Sequence, residues 1–178
     1  PMELRVLTDI PEVYERFHSD AVEGHRWELY TDETYPLVKL KSLETQMERA
    51  LSKNVWMKSG ASLVIEPTET LTAIDVNTSK TELRKKNEEV FYQINIEAAR
   101  EICRQLRLRN LSGMILVDFI NMENPDHRDE LFHVLQKLLR KDPVKSRAID
   151  ITPLHILEMT RKKVRRPVIE DIRELTKK

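Results

Sequence analysis

Apolar positions along this 178-residue chain fall in short runs whose period switches between two and about 3.6, the mark of strands alternating with helices. Leu4-Arg-Val-Leu7 reads as a strand, and Thr8-Asp9-Ile10-Pro11 as a helix start carrying the chain through Tyr14 and Phe17. Trp27 to Tyr30 is a second short strand. Pro36 breaks the chain before an amphipathic helix expected to turn Leu40, Leu43, Met47 and Leu51 toward the core. Val55 to Met57, Ser62 to Ile65 and Leu71 to Ile74 follow as strands, with Gly60 and Glu66-Pro-Thr-Glu69 between them.

Residues 78–87 are polar and charged and read as a loop. Val90, Ile94, Ala98, Ile102 and Leu106 then recur at helical spacing in the longest helix, which Asn110 and Gly113 end. Met114 to Phe119 is a strand, and a helix with Leu131, Val134, Leu135 and Leu138 follows Asn124-Pro125 until Lys141-Asp-Pro143 stops it. Arg147 to Ile151 is expected as a strand and Leu154 to Lys163 as a final helix. This order predicts an α/β (α+β) domain, a mixed β-sheet flanked by helices.

Length permits one domain with a real core, or one domain and part of another. Lys and Arg balance Asp and Glu at 30 each, which by itself argues against a strongly nucleic-acid-binding domain, but the balance is only global. Residues 1–60 hold 8 basic against 11 acidic residues, and residues 140–166 hold 9 against 3. A basic C-terminal segment suits a phosphate backbone or a solvated helix face equally. The single Cys103 excludes an intrachain disulfide and a Cys-rich zinc site within one chain, and its place beside Ile102 on the long helix reads as core packing. With no apolar run near membrane-span length and no signal-peptide pattern, a cytoplasmic protein without membrane contact is expected.

Two strands carry an aspartate where apolar residues are expected: Leu71-Thr-Ala-Ile-Asp75-Val-Asn77 and Met114-Ile-Leu-Val-Asp118. A carboxylate in an apolar setting is costly unless paired or bound to a cation. Strand alternation puts Asp75 and Asn77 on one side, and Asp118 on a side with Met114 and Leu116. Were the two strands neighbours, these oxygens would converge into a partial shell for Mg²⁺, which accepts one or two carboxylates and keeps several waters. The competing reading caps the strand ends with these aspartates or pairs them with an arginine of the 100–109 helix. The five histidines lie in segments that form no acid–base pair by spacing.

Longer blocks bear on that choice. Ser62 to Asn77, Asn95-Ile-Glu-Ala-Ala99, Arg104-Gln-Leu-Arg-Leu-Arg109 with Gly113, Leu116-Val-Asp-Phe-Ile120 and Leu157-Glu-Met159 together resemble the ribonuclease E/G family in order and spacing, including the 43 residues between the aspartates. The resemblance implies a DNase I-like catalytic subdomain over residues 59–166, a partial RNase H-like segment over 1–58, and a C-terminal extension over 167–178. It also implies Asp75 and Asp118 as catalytic ligands of Mg²⁺, with Mn²⁺ as a substitute, and Asn77 assisting them. The implied activity is Mg-dependent endoribonuclease cleavage of single-stranded RNA in RNA processing and decay, leaving a 5′-phosphate on the downstream product. Lys80, Arg84, Lys85, Arg107, Arg109, Lys145 and Arg147 are candidate RNA-phosphate contacts, with surface charge as the alternative for each.

The chain departs from the family pattern in three places. Asn121 stands where the family carries a further aspartate, Thr152-Pro-Leu-His155 replaces a block containing an arginine, and Lys145 lies near a basic residue associated with 5′-phosphate sensing. The zinc-link cysteines expected after Pro167 are absent, so no zinc is expected in this chain, although the full-length protein could still oligomerise. A fragment or short relative lacking the RNA-binding domains is the expectation. The alternative is a catalytically weak RNA-binding or scaffolding module with the same fold.

Overall fold

A computed structural model describes residues 4–19, 25–78 and 87–175, and the chain divides into two compact units, Pro1–Arg49 and Ala50–Lys178. In the first unit, strand β1 (Leu4–Thr8) pairs in parallel with β2 (His25–Leu29). Helix α1 (Pro11–Phe17) begins with its proline in the first turn, where no backbone hydrogen bond is lost. Phe17 stacks on Trp27 with ring centroids 5.7 Å apart.

The single amphipathic helix expected after Pro36 is two helices, α2 (Leu37–Leu40) and α3 (Leu43–Leu51). The break falls at Ser42, whose φ of 49° no helical residue adopts. Leu40, Leu43 and Met47 are exposed, so the apolar stripe does not face the core as periodicity suggests.

The second unit is built on a six-stranded mixed sheet in the order β3-β4-β5-β6-β8-β7. Its strands are β3 (Asn54–Trp56), β4 (Ser62–Pro67), β5 (Leu71–Asn77), β6 (Gly113–Asp118), β7 (Ser146–Ile151) and β8 (Ile156–Arg161). All pairs are antiparallel except β5 and β6, which run parallel. A parallel pair needs a long crossover, and helix α4 (Glu88–Arg109) supplies it. Asn87 caps its start, its side chain accepting from Glu89 N at 3.1 Å, and Asn110 ends it in the left-handed conformation at φ 51°. Helix α5 (Pro125–Leu139) starts on Asn124 in the same way, and α6 (Val168–Leu175) follows the sheet.

The expected helix over Leu154 to Lys163 is strand β8. Leu157, Met159 and Arg161 are buried while Ile156, Glu158 and Thr160 lie on the opposite side, a period of two that overrides the helix-like spacing of Leu154 and Leu157. The register shifts between Ala148 and Asp150, a bulge in β7 beside this strand.

The core lies between one face of the sheet and α4 and α5. Leu63, Ile65, Ile74, Val76, Ile115, Val117, Leu157 and Met159 meet Ile94, Ala98, Ile102, Leu106, Leu131 and Leu135 in one buried cluster. Burial in β5 and β8 therefore alternates, and within this unit the second face carries no helix among the described residues: Ala73, Asp75, Asn77, Met114 and Asp118 along it are exposed. No helix among the described residues is long and apolar enough to cross a membrane.

Candidate functional site

The aspartates sit on the uncovered face, opposite one another. Asp75 on β5 is in direct register with Asp118 on β6, so the two backbones are one strand spacing apart, about 5 Å. Both residues are exposed, which corrects the premise of buried charge: alternation directs each side chain to the solvent face while Ile74, Val76 and Val117 beside them fill the core. Among the described residues no cation pairs with either carboxylate. Of the arginines of α4, Arg104 is engaged with Glu101 and Arg109 with Gln105, and none pairs with these aspartates.

The electrostatics of the pair are those of a site short of positive charge. The Asp118 carboxyl is held above the ordinary aspartate range, first by partial burial and second by the Asp75 charge facing it. Asn77, two residues along β5 on the same side, donates from Nδ2 to Asp75 Oδ2 at 2.7 Å. That bond restrains the carboxylate and leaves Asn77 Oδ1 as a third oxygen acceptor. Two carboxylates and an amide oxygen form a donor set suited to a hard cation such as Mg²⁺, and a cation would relieve the repulsion that raises Asp118. Among the described residues no group of three His, Cys, Asp or Glu side chains clusters as a metal site, so water or substrate would complete the shell.

Three polar side chains of α4 hold the backbone around this face. Asn95, fully buried, donates from Nδ2 to the Ile120 carbonyl at 2.7 Å and accepts at Oδ1 from Ile120 N at 3.0 Å. It clamps both polar groups of a residue two positions beyond Asp118. Glu88 accepts from Glu123 N and Asn124 N, bonds that with the nearby His127 outweigh partial burial and keep its carboxyl below the usual range. Glu97 accepts from Lys58 N and Ser59 N in the turn between β3 and β4. Sequence reasoning assigned none of them a role; a polar residue interrupting the apolar stripe at Asn95, between Ile94 and Ile96, was the available signal.

Glu158 is a second omission. It faces Leu116 on β6, one diagonal step from Asp118 on the same side, and adds negative potential to the face. Reading its segment as a helix hid that placement. Asn121 lies just past the end of β6, bordering a small hollow with His155 and Arg128, two residues that also line a cleft of about 460 Å³ with Phe132 and Asp150.

The basic candidates separate. Lys80, Arg84 and Lys85 lie outside the described residues. Arg109 is buried, its guanidinium committed to Gln105, the Ser52 carbonyl at 2.6 Å and the Leu51 carbonyl at 3.4 Å, so it ties the helix to the chain before β3 and offers no accessible phosphate contact. Arg107 is exposed at the last turn of α4, the end of the crossover away from the aspartates. Arg147 is exposed on the open face, but its row, shared with Thr160 and Met114, is four residues down β6 from Asp118, about 14 Å. Lys145 precedes the same end of β7. Cys103 is buried and its thiol is pushed up to about 11 by that burial, which makes it a packing residue and a poor nucleophile.

Known proteins resemble this chain over most of its length. Ribonuclease G of Salmonella typhimurium strain SL1344 is 43% identical over 133 residues, covering 75% of this chain and 27% of the relative. Ribonuclease G of Escherichia coli K12 is 41% identical over 133 residues with the same coverage, and ribonuclease E of that strain is 38% identical over 165 residues, covering 89% of this chain and 16% of the relative. The chain thus spans about a quarter of the ribonuclease G relatives and about a sixth of ribonuclease E. The Ribonuclease E/G family model matches residues 4–164, and the chain belongs to that family.

Proposed function

We propose that the open face of the sheet is the metal-binding, RNA-cleaving surface of a ribonuclease E/G-type endoribonuclease, acting on single-stranded RNA. The observation that carries this reading is the facing register of Asp75 and Asp118 on an exposed surface, with Asn77 bonded to one of them and no cation paired with either among the described residues. Asp75 and Asp118 would hold Mg²⁺, or Mn²⁺ in its place. When bound, such an ion neutralises phosphate charge and lowers the pKa of water, the two requirements of phosphodiester hydrolysis near neutral pH.

The chain's own residues do the remainder. Asp118 would have to be ionised to hold the cation, and its raised pKa makes that requirement more sensitive to acid than an ordinary aspartate's. Asn77 keeps the Asp75 carboxylate in one orientation. Asn95, gripping Ile120, restrains the strand end that carries Asp118 and acts as a positioning residue. Hydrolysis would leave the 5′-phosphate on the downstream product. A cytoplasmic setting, and assembly with further copies or domains in a longer protein, belong to the same proposal.

Cleavage of a 5′-monophosphorylated single-stranded oligonucleotide by this chain, followed across a Mg²⁺ titration, tests the assignment. Metal-dependent cutting lost in Asp75→Asn and in Asp118→Asn is the expected result. Undiminished cutting by either variant would overturn the site, and RNA binding without any cutting by the unaltered chain would favour the scaffolding alternative.

A further inference from the structure

The open face carries one large aromatic side chain that its own unit leaves uncovered. Trp56, on the edge strand β3, is 75% exposed. The other tryptophan, Trp27, is half-buried and stacked on Phe17, whereas Trp56 has no ring contact among the described residues. Indoles are ordinarily among the most buried side chains by area, so one left in water is informative.

Strand register locates it. Trp56 faces Ser62, and Ser62 faces Asn77. Facing residues of paired strands project to the same side, so Trp56 shares a row with Asn77 and a face with Asp75 and Asp118. Two strand spacings, about 10 Å, separate it from Asn77, and about 12 Å from Asp75. The residue between Trp56 and Asn77 in that row is Ser62, too short to wall the indole off from the carboxylates.

We propose that Trp56 is a stacking platform for a base of single-stranded RNA whose backbone crosses the Asp75–Asp118 pair. The inference rests on the reading of this face as the RNA-cleaving surface and extends it to a binding subsite. A carboxylate pair repels phosphate, and of the candidate phosphate contacts Lys145 and Arg147 stand at the other end of the strands. A contact that does not depend on charge suits RNA held near such a pair. Every base has a π-face, so an indole meets that need regardless of sequence. Rigid spacing from the metal-ligating carboxylates makes the contact positional: one base, at a set number of nucleotides from the scissile phosphate, rests on the ring.

The test uses the full chain with Asp118→Asn to suppress cutting and Trp27→Phe so that Trp56 is the sole tryptophan, excited selectively over the tyrosines. Titration with a single-stranded RNA oligonucleotide is expected to quench the emission saturably, and duplex RNA to leave it unchanged. By anisotropy of labelled RNA, Trp56→Ala should weaken binding about five-fold or more, with Trp56→Phe recovering most of it. In a series of oligonucleotides each with one abasic site, the Trp56→Ala penalty should vanish at a single position, which a structural role for the ring would not produce. RNA binding with unquenched emission, an equal affinity for Trp56→Ala, or no binding of single-stranded RNA overturns the inference. Continued cutting by the Asp118→Asn background would sink the metal assignment instead, with the quenching and abasic readouts still deciding the role of Trp56.

Discussion

The two faces of the six-stranded sheet are made from the same strands, one residue out of phase, and do opposite things. Ile74, Val76 and Val117 lie under α4 and α5; Asp75, Asn77 and Asp118, their immediate neighbours, lie in the open. The covered face supplies the hydrophobic driving force of the unit, and the open face is spared that duty. A like-charged pair is tolerable there because water reaches both carboxylates, whereas the same pair one residue along would face several kcal/mol of desolvation. The contrast teaches that the site costs the fold little.

Substitutions that exchange the characters of the faces should break the comparison most severely. Val117→Asp puts an unpaired carboxylate among Ile74, Ile102 and Leu157, and should destabilise the unit by several kcal/mol or prevent folding, as urea denaturation would register. Asn95→Ala, at the boundary between the faces, strands the Ile120 amide and carbonyl. It should cost about 1–3 kcal/mol and lower cleavage beyond what the lost stability explains, read as reduced kcat at a temperature where the variant is fully folded.

Asp118→Asn, in contrast, should leave the denaturation midpoint within about 0.5 kcal/mol of the unaltered chain while removing cleavage. A large loss of stability there would mean that the open face does structural work after all.

The smallest effect is a pH dependence. Asp118 binds its proton more tightly folded than unfolded, so in the absence of metal its contribution to stability falls as pH rises from its ordinary value through its raised one. Mg²⁺ needs the ionised form, so its affinity should begin to weaken, as pH is lowered, at a higher pH than an ordinary aspartate would dictate. Thermal melts with and without Mg²⁺ across that window check both signs. Asp75→Asn, by removing the second cause of the shift, should move the Asp118 titration back toward its ordinary range without abolishing the part due to burial.

Much of this was legible from alternation alone. Leu71 to Asn77 and Met114 to Asp118 announce which side each aspartate takes, and the family blocks pair them; the structure adds that the strands are parallel neighbours in register at these two residues. The carboxylates looked buried because an apolar run reads the same whether one face or both are covered, and only the placement of α4 and α5 on one side decides it. Ile156 to Arg161 was misread because Leu154 and Leu157 mimic a helical step, and its neighbours in the sheet are supplied by distant chain. Arg109 looked like a surface cation for a similar reason: the carbonyls of Leu51 and Ser52 that take up its guanidinium are 58 and 57 residues away in sequence.

The half-covered sheet also governs how the gene for such a chain can change. Inserting or deleting one codon within β5 or β6 would turn an aspartate into the interior and a core residue into water at once, so lost chemistry and lost folding arrive together. Point substitutions on the open face carry no such coupling. Variants of the proposed site should therefore accumulate as folded chains through substitution, while length changes in these strands are removed at the level of folding.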